Sequence, residues 1–234
     1  KYFFQPKQNR VKIGLLNLTF RYFLSTPDEK EALMKKRLMN YETLLKVTGA
    51  ISQTNDPEEV VLLTVESVKS ALDAKGCALF LINRKTDELE VAGAFGLSDD
   101  YLNKGPVSAL RSIAQSLKEG PVAISDVSDD PRIQYPEAAR KEGIASILSV
   151  PIATGGNVMG ALRVYTGEPW DFQLEDVNFV QAIGQIAGMA IDMCRMNKGL
   201  KTSIEILKTM RDPRLLKSRR WTPHEGVPVS EPKP

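Results

Sequence analysis

With 234 residues, 42% of them apolar and 26% charged, the chain has an ordinary globular balance for one domain plus extensions, and needs neither disulfide nor metal to hold its core. No apolar run approaches the ~18 residues of a membrane span, no charged-then-apolar leader opens the chain, and Cys77 and Cys194, 117 positions apart, match no zinc or redox spacing, so a reducing cytoplasm is expected. The net charge of +2 divides into +5 over residues 1–27, −9 over 28–194 and +6 over 195–234, which argues against a nucleic-acid-binding core.

Residues 11–24 place Ile13, Leu16, Phe20, Phe23 and Leu24 on one side at helical spacing, with Arg10, Gly14, Asn17 and Arg21 opposite. An amphipathic helix follows from that pattern, although Phe, Tyr, Thr and Ile also favour strands. Pro27 with Asp28 and Glu29 reads as a fresh helix start, and a helix is expected over 28–53. Along it Met34, Leu38, Tyr41, Leu45 and Thr48 recur at 4-3-4-3 spacing, a short apolar seam suited to packing against another helix. Asp56 is a good cap for a second helix over 57–72, whose apolar face is Val60, Leu63, Val68 and Leu72. Strands at 77–84 and 88–95 flank Lys85-Thr86-Asp87 as a β-hairpin.

A helix over 106–118, a short strand at 122–125, a loop at 128–136 and a one- to two-turn helix at 137–142 follow. Residues 144–153 and 157–166 form a second hairpin about Thr154-Gly155-Gly156. One long helix is then expected over 174–197, turning Val177, Val180, Ile183, Ile186 or Ala187, Ala190, Ile191 and Cys194 inward. Beyond Arg211, five prolines preclude a regular element.

This element order describes an α+β fold, one antiparallel sheet with N- and C-terminal helices on one face and loops and short helices over the other. At this point the chain resembles the GAF domain family. Residues 44–97 are similar to its opening helices and first hairpin, 120–132 to its central strand ending in an aspartate, 143–166 to its second hairpin and 172–191 to its closing helix. The expected organisation is a basic, aromatic-rich extension at 1–27, a connecting or dimerisation helix at 28–55, a GAF domain at 56–198 and a basic Pro-rich tail at 199–234. The resemblance implies a binding module with a ligand pocket, commonly dimeric through its terminal helices, and leaves the ligand to be argued from residues.

Several family chemistries fit poorly. Bilin attachment needs a Cys beside a His, and the sole histidine, His224, stands in the tail. The same position disfavours haem on a histidine, while haem through Cys or Met stays open. Sulfoxide reduction needs an exposed, low-pKa Cys with a resolving partner, whereas Cys77 and Cys194 are expected buried and far apart. Asn103-Lys104 with Phe172 and Asp176 imitates the family's cyclic-GMP signature, but Val177 stands where Glu belongs. The plainer reading makes Phe172 a helix staple and Asp176 a partner of the helix dipole. No metal cluster and no nucleophile–base pair is discernible, so a non-catalytic protein is expected.

Polar groups that could face a pocket are Asp126, Tyr135, Arg140, Ser146, Arg163 and Tyr165. Arg163 sits mid-strand; facing inward it requires a carboxylate or phosphate, from Asp126 or from a ligand, and facing outward it requires nothing. Phe80, Phe95 and Tyr135 are the side chains that could instead fill the pocket. Interaction residues are expected at Phe20, Phe23, Leu38, Tyr41, Leu45 and Trp221. Two functions follow: an accessory or regulatory subunit of a larger assembly, contacting partners through its basic arms, or a small-molecule sensor that signals to a separate output protein through its terminal helices. Either acts in the cytoplasm as a homodimer or complex member, with contact to the inner membrane face through a complex as a further expectation.

Overall fold

The computed structural model describes residues 26–83, 85–105, 107–108, 120–128 and 130–210. Phe20, Phe23, Trp221 and the arms that carry them lie outside the described residues. Two compact units divide at Ile191 and Asp192. The first opens with helix α1 (Pro27–Ile51), where Pro27 starts the helix as its fixed φ favours, and α2 (Pro57–Ala71). The Oδ1 atom of Asp56 accepts the Glu58 amide at 3.1 Å and so caps α2.

Six strands form one antiparallel sheet: β1 (Gly76–Asn83), β2 (Glu88–Phe95), β3 (Val107–Ser108), β4 (Val122–Ile124), β5 (Ser146–Thr154) and β6 (Asn157–Thr166). Their spatial order is β3-β2-β1-β6-β5-β4. Two short helices, α3 (Asp99–Leu102) and α4 (Pro136–Glu142), interrupt the strands, and a long helix, α5 (Leu174–Met210), closes the order. The fold is α+β, as the alternating patterns imply.

Strand alternation divides the sheet into two faces. Leu79, Leu148, Val150, Ile152, Leu162 and Val164 are buried on the face that meets the helices, with Val60, Val61, Val65 and Val68 of α2 and Val180, Ile183 and Ala187 of α5. Ala78, Phe80, Ile147, Ala161 and Tyr165 belong to a second cluster, with Tyr101, Val107, Ile124, Val127, Ala139 and Ile144 from the covering segments. By length and apolarity α5 could cross a membrane, but half of its most apolar stretch is buried within the fold.

Close packing sets one sequence requirement. A Cβ on Gly188 would lie 2.5 Å from Cγ2 of Ile152, whereas one on Gly184 would meet Val150, Ile152 and Leu162 at 3.6–3.7 Å. Helix α5 therefore lies against β5 at a separation that only glycine permits at position 188.

Two expectations are corrected. Val107 and Ser108 pair with Leu89 and Glu88 as a strand where a helix over 106–118 was expected to begin; β-branched Val107 fits the pleated edge and buries its side chain. The last helix continues past 197 to Met210, because a single Gly199 among Lys, Leu, Met and Glu does not stop a helix before the prolines. The seam Met34, Leu38, Tyr41 and Leu45 is exposed within this chain, and among the described side chains of α1 Val47 and Ile51 are the ones buried in the core.

Gly188→Ala is expected to lower the unfolding free energy by about 1–3 kcal/mol, overpacking Ile152 and outweighing alanine's helix preference of ~1 kcal/mol. Gly49→Ala on α1, where a Cβ meets nothing within 4 Å, is expected to raise it by about 0.5–1 kcal/mol. Urea unfolding of the two variants checks both signs.

Candidate functional site: a cationic recess on the β6 face

Arg163 lies mid-β6, opposite Ser149 of β5 and Ala78 of β1. Its side chain shares the face of Ala161 and Tyr165, so the inward of its two orientations is the one observed, and the residue is only 7% exposed. The guanidinium carbon stands 4.9 Å from the centre of the Phe80 ring. Its Nε–H has no hydrogen-bond partner, and Oγ of Ser149, the neighbouring residue on β5, has none either. None of the ion pairs among the described residues includes Arg163.

The recess in front of Arg163 is lined by Tyr101, Lys104, Val107, Ile133, Gln134, Tyr135 and Ile147 and measures about 30 Å³. Helix α3 delivers Tyr101 and Lys104. Ser98 caps it, accepting the Tyr101 amide at 3.2 Å, and Glu142 of α4 accepts hydrogen bonds from the Ser98 amide at 3.0 Å and from the Ser98 hydroxyl. Lys141 and Asp100 add an ion pair at 3.0 Å between the same two helices. The two short helices thus form one cover. Gly105 adopts φ +128°, and a Cβ there would approach the Tyr135 hydroxyl at 2.8 Å, so glycine lets the chain turn under the Tyr135 ring.

The electrostatics of the recess are one-sided. Lys104 donates to the Tyr101 carbonyl at 2.8 Å, with its Nζ 3.7 Å from the Tyr101 ring centre. Burial, and then the Arg163 charge, lower its pKa to about 8, partly opposed by Glu142. Tyr101 meets Tyr165 edge to face at 5.7 Å, and burial pushes both hydroxyls up, so they stay neutral. Burial raises the Glu142 carboxyl, but its hydrogen bonds from Ser98 outweigh this and hold it below its usual range.

The expected site residues separate into groups. Tyr135 and Arg163 line the recess, and Tyr165 lies beneath Tyr101. Asp126 and Arg140 border a different recess of about 200 Å³ with Val127, Ser128, Pro136, Ile144 and Ala145. Asp126 is therefore not the partner of Arg163: Ser128 donates to it from its hydroxyl at 2.5 Å and its amide at 2.9 Å, and these bonds lower its pKa. Arg140 pairs with Glu137 on its own helix at 3.3 Å. Ser146 is a structural tie, donating to the Ser125 carbonyl at 2.6 Å and accepting the Trp170 amide at 2.7 Å.

Among the pocket-filling candidates, Phe80 and Tyr135 are at the recess, while Phe95 is exposed and has Lys69 Nζ 5.9 Å from its ring centre. Phe172 stacks on Trp170 at 5.4 Å, and Asp176 accepts the Gln173 amide at 3.0 Å at the start of α5. Tyr101, Lys104, Ile133 and Gln134 are recess residues that sequence reading did not select. Asn103-Lys104 carried the one available signal, a loop cation following a short capped helix.

An antiparallel sheet with helices on one face and a covered recess on the other defines an α+β sheet-and-helix module. The family model of the GAF domain matches residues 54–192, and the chain belongs to the GAF domain family. Its fold is similar to a GAF domain of a phosphoenolpyruvate-protein phosphotransferase from Coxiella burnetii, at 20% identity and TM-score 0.62 over 69% of this chain and 98% of that one. A corresponding GAF domain from Acinetobacter matches at 19% identity and TM-score 0.59, over 68% of this chain and 95% of that one. Free methionine-R-sulfoxide reductase from Neisseria meningitidis matches at 20% identity and TM-score 0.60, over 70% and 93%. At these identities the likenesses establish the fold. No curated protein is similar enough to match.

The folded chain releases the Lys104 proton near pH 8, while an unfolded lysine holds it to about 10.5. The unfolded state therefore binds more protons between these values, and this group makes stability rise with pH across that window. Urea unfolding at fixed pH from 7.5 to 10.5 is expected to show the wild type gaining stability relative to Lys104→Met.

Proposed function

We propose that this chain is a non-catalytic regulatory GAF protein whose recess receives a small anionic molecule and whose terminal helices pass its occupancy to a separate protein. The observation that carries the ligand half is Arg163, a buried guanidinium with an unpartnered Nε–H and no carboxylate paired to it. Burial of an unpaired ion costs several kcal/mol, of which a cation–π contact such as that with Phe80 returns ~0.5–2 kcal/mol and the hydrogen bond between Arg163 and the Tyr165 hydroxyl returns a further part. An anion removes the remaining deficit. A non-catalytic role is supported by the cysteines: both are buried, and burial pushes the Cys77 thiol up, away from a reactive thiolate.

The protein-contact half is supported by the exposed row Met34, Leu38, Tyr41 and Leu45 on α1. Within the second unit, Met193, Met196, Leu200, Ile204 and Leu207 form a comparable exposed row along the described part of α5. In this reading the chain is an accessory subunit that assembles as a homodimer or in a larger complex in the cytoplasm. Its basic arms meet acidic protein surfaces or, through a complex, the inner face of the membrane.

Two variants separate the halves. Arg163→Met is expected to abolish the thermal stabilisation that small anions confer while leaving the assembly mass unchanged by native mass spectrometry. Leu38→Glu with Leu45→Glu is expected to dissociate the assembly and preserve the anion response. A ligand response that survives Arg163→Met contradicts the proposal.

A further inference from the structure

Among the described residues the recess holds two cations and no acid of its own. Arg163, whose buried Nε–H is unsatisfied, lines the recess from the floor, and Lys104 lines the same space from the cover. The volume of about 30 Å³ corresponds to two or so water molecules at ~10–15 Å³ each. A nucleotide or a sugar does not fit that space; one carboxylate group does. The remaining walls are Val107, Ile133 and Ile147 beside the tyrosines and Gln134, which give a short hydrocarbon tail an apolar surface and offer a second charged group no opposite charge.

We propose that the recess takes a compact monocarboxylate, its oxyanion held between Arg163 and Lys104 and its short tail against Val107, Ile133 and Ile147. This rests on the ligand-receiving reading above and narrows it to one chemical class. A planar carboxylate matches a guanidinium edge, and tetrahedral phosphate, with oxygens on every side, turns some of them against the apolar walls.

A second property follows from the groups around Lys104. Arg163 from β6 stays charged. Tyr101 of α3 and Tyr165 of β6 are held neutral by burial, and Glu142 of α4 is ionised and engaged by Ser98. Tyr135 and Gln134 complete the lining from the loop before α4, and the Gln134 amide donates to the Tyr135 hydroxyl at 3.2 Å. Lys104, with its pKa lowered to about 8, is the group that exchanges a proton near neutrality. A bound carboxylate favours its charged form, so above pH 8 the anion enters together with a proton, and affinity falls as pH rises.

Isothermal titration calorimetry of the full chain at pH 8.5, in two buffers of different ionisation heat, tests both properties. The probes are acetate, propionate, acetamide and inorganic phosphate. Acetate and propionate are expected to saturate one site with uptake of up to about three-quarters of a proton, and acetamide is expected not to bind. Arg163→Met should weaken the carboxylates by at least tenfold, with Arg163→Lys retaining intermediate affinity and circular dichroism reporting that both fold. Lys104→Met should bind carboxylates more weakly and without proton uptake.

Phosphate binding as tightly as acetate, acetamide competing with acetate, or proton uptake persisting in Lys104→Met overturns the proposal. Failure of both carboxylates, with a larger molecule still carried by wild type and lost from Arg163→Met in native mass spectrometry, overturns this proposal and leaves the regulatory reading standing. Failure of every ligand to respond to Arg163→Met overturns both.

Discussion

The structure depends on a positive charge placed inside an antiparallel sheet without its counter-ion. Arg163 occupies a position where alternation along β6 supplies Ala161 on one side and Tyr165 on the other. Its neighbours across the sheet are Ala78 and Ser149, neither of which carries charge. A hydrophobic residue there would fill the floor and close the recess. The guanidinium instead leans on Phe80, adds to the effect of burial in lowering the pKa of the nearby Lys104 and, in the proposed reading, leaves a space that an anion completes. The energetic imbalance, several kcal/mol of desolvation against ~0.5–2 from the ring and the hydrogen bond with Tyr165, is tolerable in a domain stabilised by two extensive apolar clusters.

Those clusters also give the site a mechanical setting. The sheet separates the recess from the helices, so a change at Arg163 reaches α5 through single residues of β5 and β6. Leu162 and Val164 flank Arg163 in sequence and point to the opposite face, where Leu162 is a near neighbour of Gly184. Gly188 holds α5 closely against Ile152, which makes that contact stiff rather than compliant. A ligand acts on such an arrangement only through differential contacts in two states. The cover formed by α3 and α4, tied by Glu142 to Ser98 and by Lys141 to Asp100, is the element that a bound anion touches through Lys104.

Much of this fold was legible in the sequence because its elements carry strong periodicities and clear punctuation. Asp56 before Pro57 and the two hairpins with their turn residues resolve as read, the second with its first strand beginning at Ser146 rather than at 144. The helix start near 106 did not, since a two-residue strand at Val107–Ser108 is defined by its pairing with Leu89 and Glu88 and has no local signature. At the site, Arg163 could be singled out as a charge amid apolar strand residues, but its orientation depends on the register with β1 and β5. Lys104 was legible only within the Asn103-Lys104 pair, because its role comes from the tertiary approach of α3 to β6. Asp126 and Arg140 look equally suitable in one dimension and lie together at another recess.

The most direct test observes the Arg163 Nε–H itself. In ¹⁵N-correlated spectra of the arginine side chains, with the signal assigned through Arg163→Lys, the Nε–H should move downfield and become protected from solvent exchange as acetate is added. An Nε–H that keeps its shift and its exchange rate through saturating acetate would mean that the guanidinium needs no anion, and the account of the recess as an anion site would be contradicted.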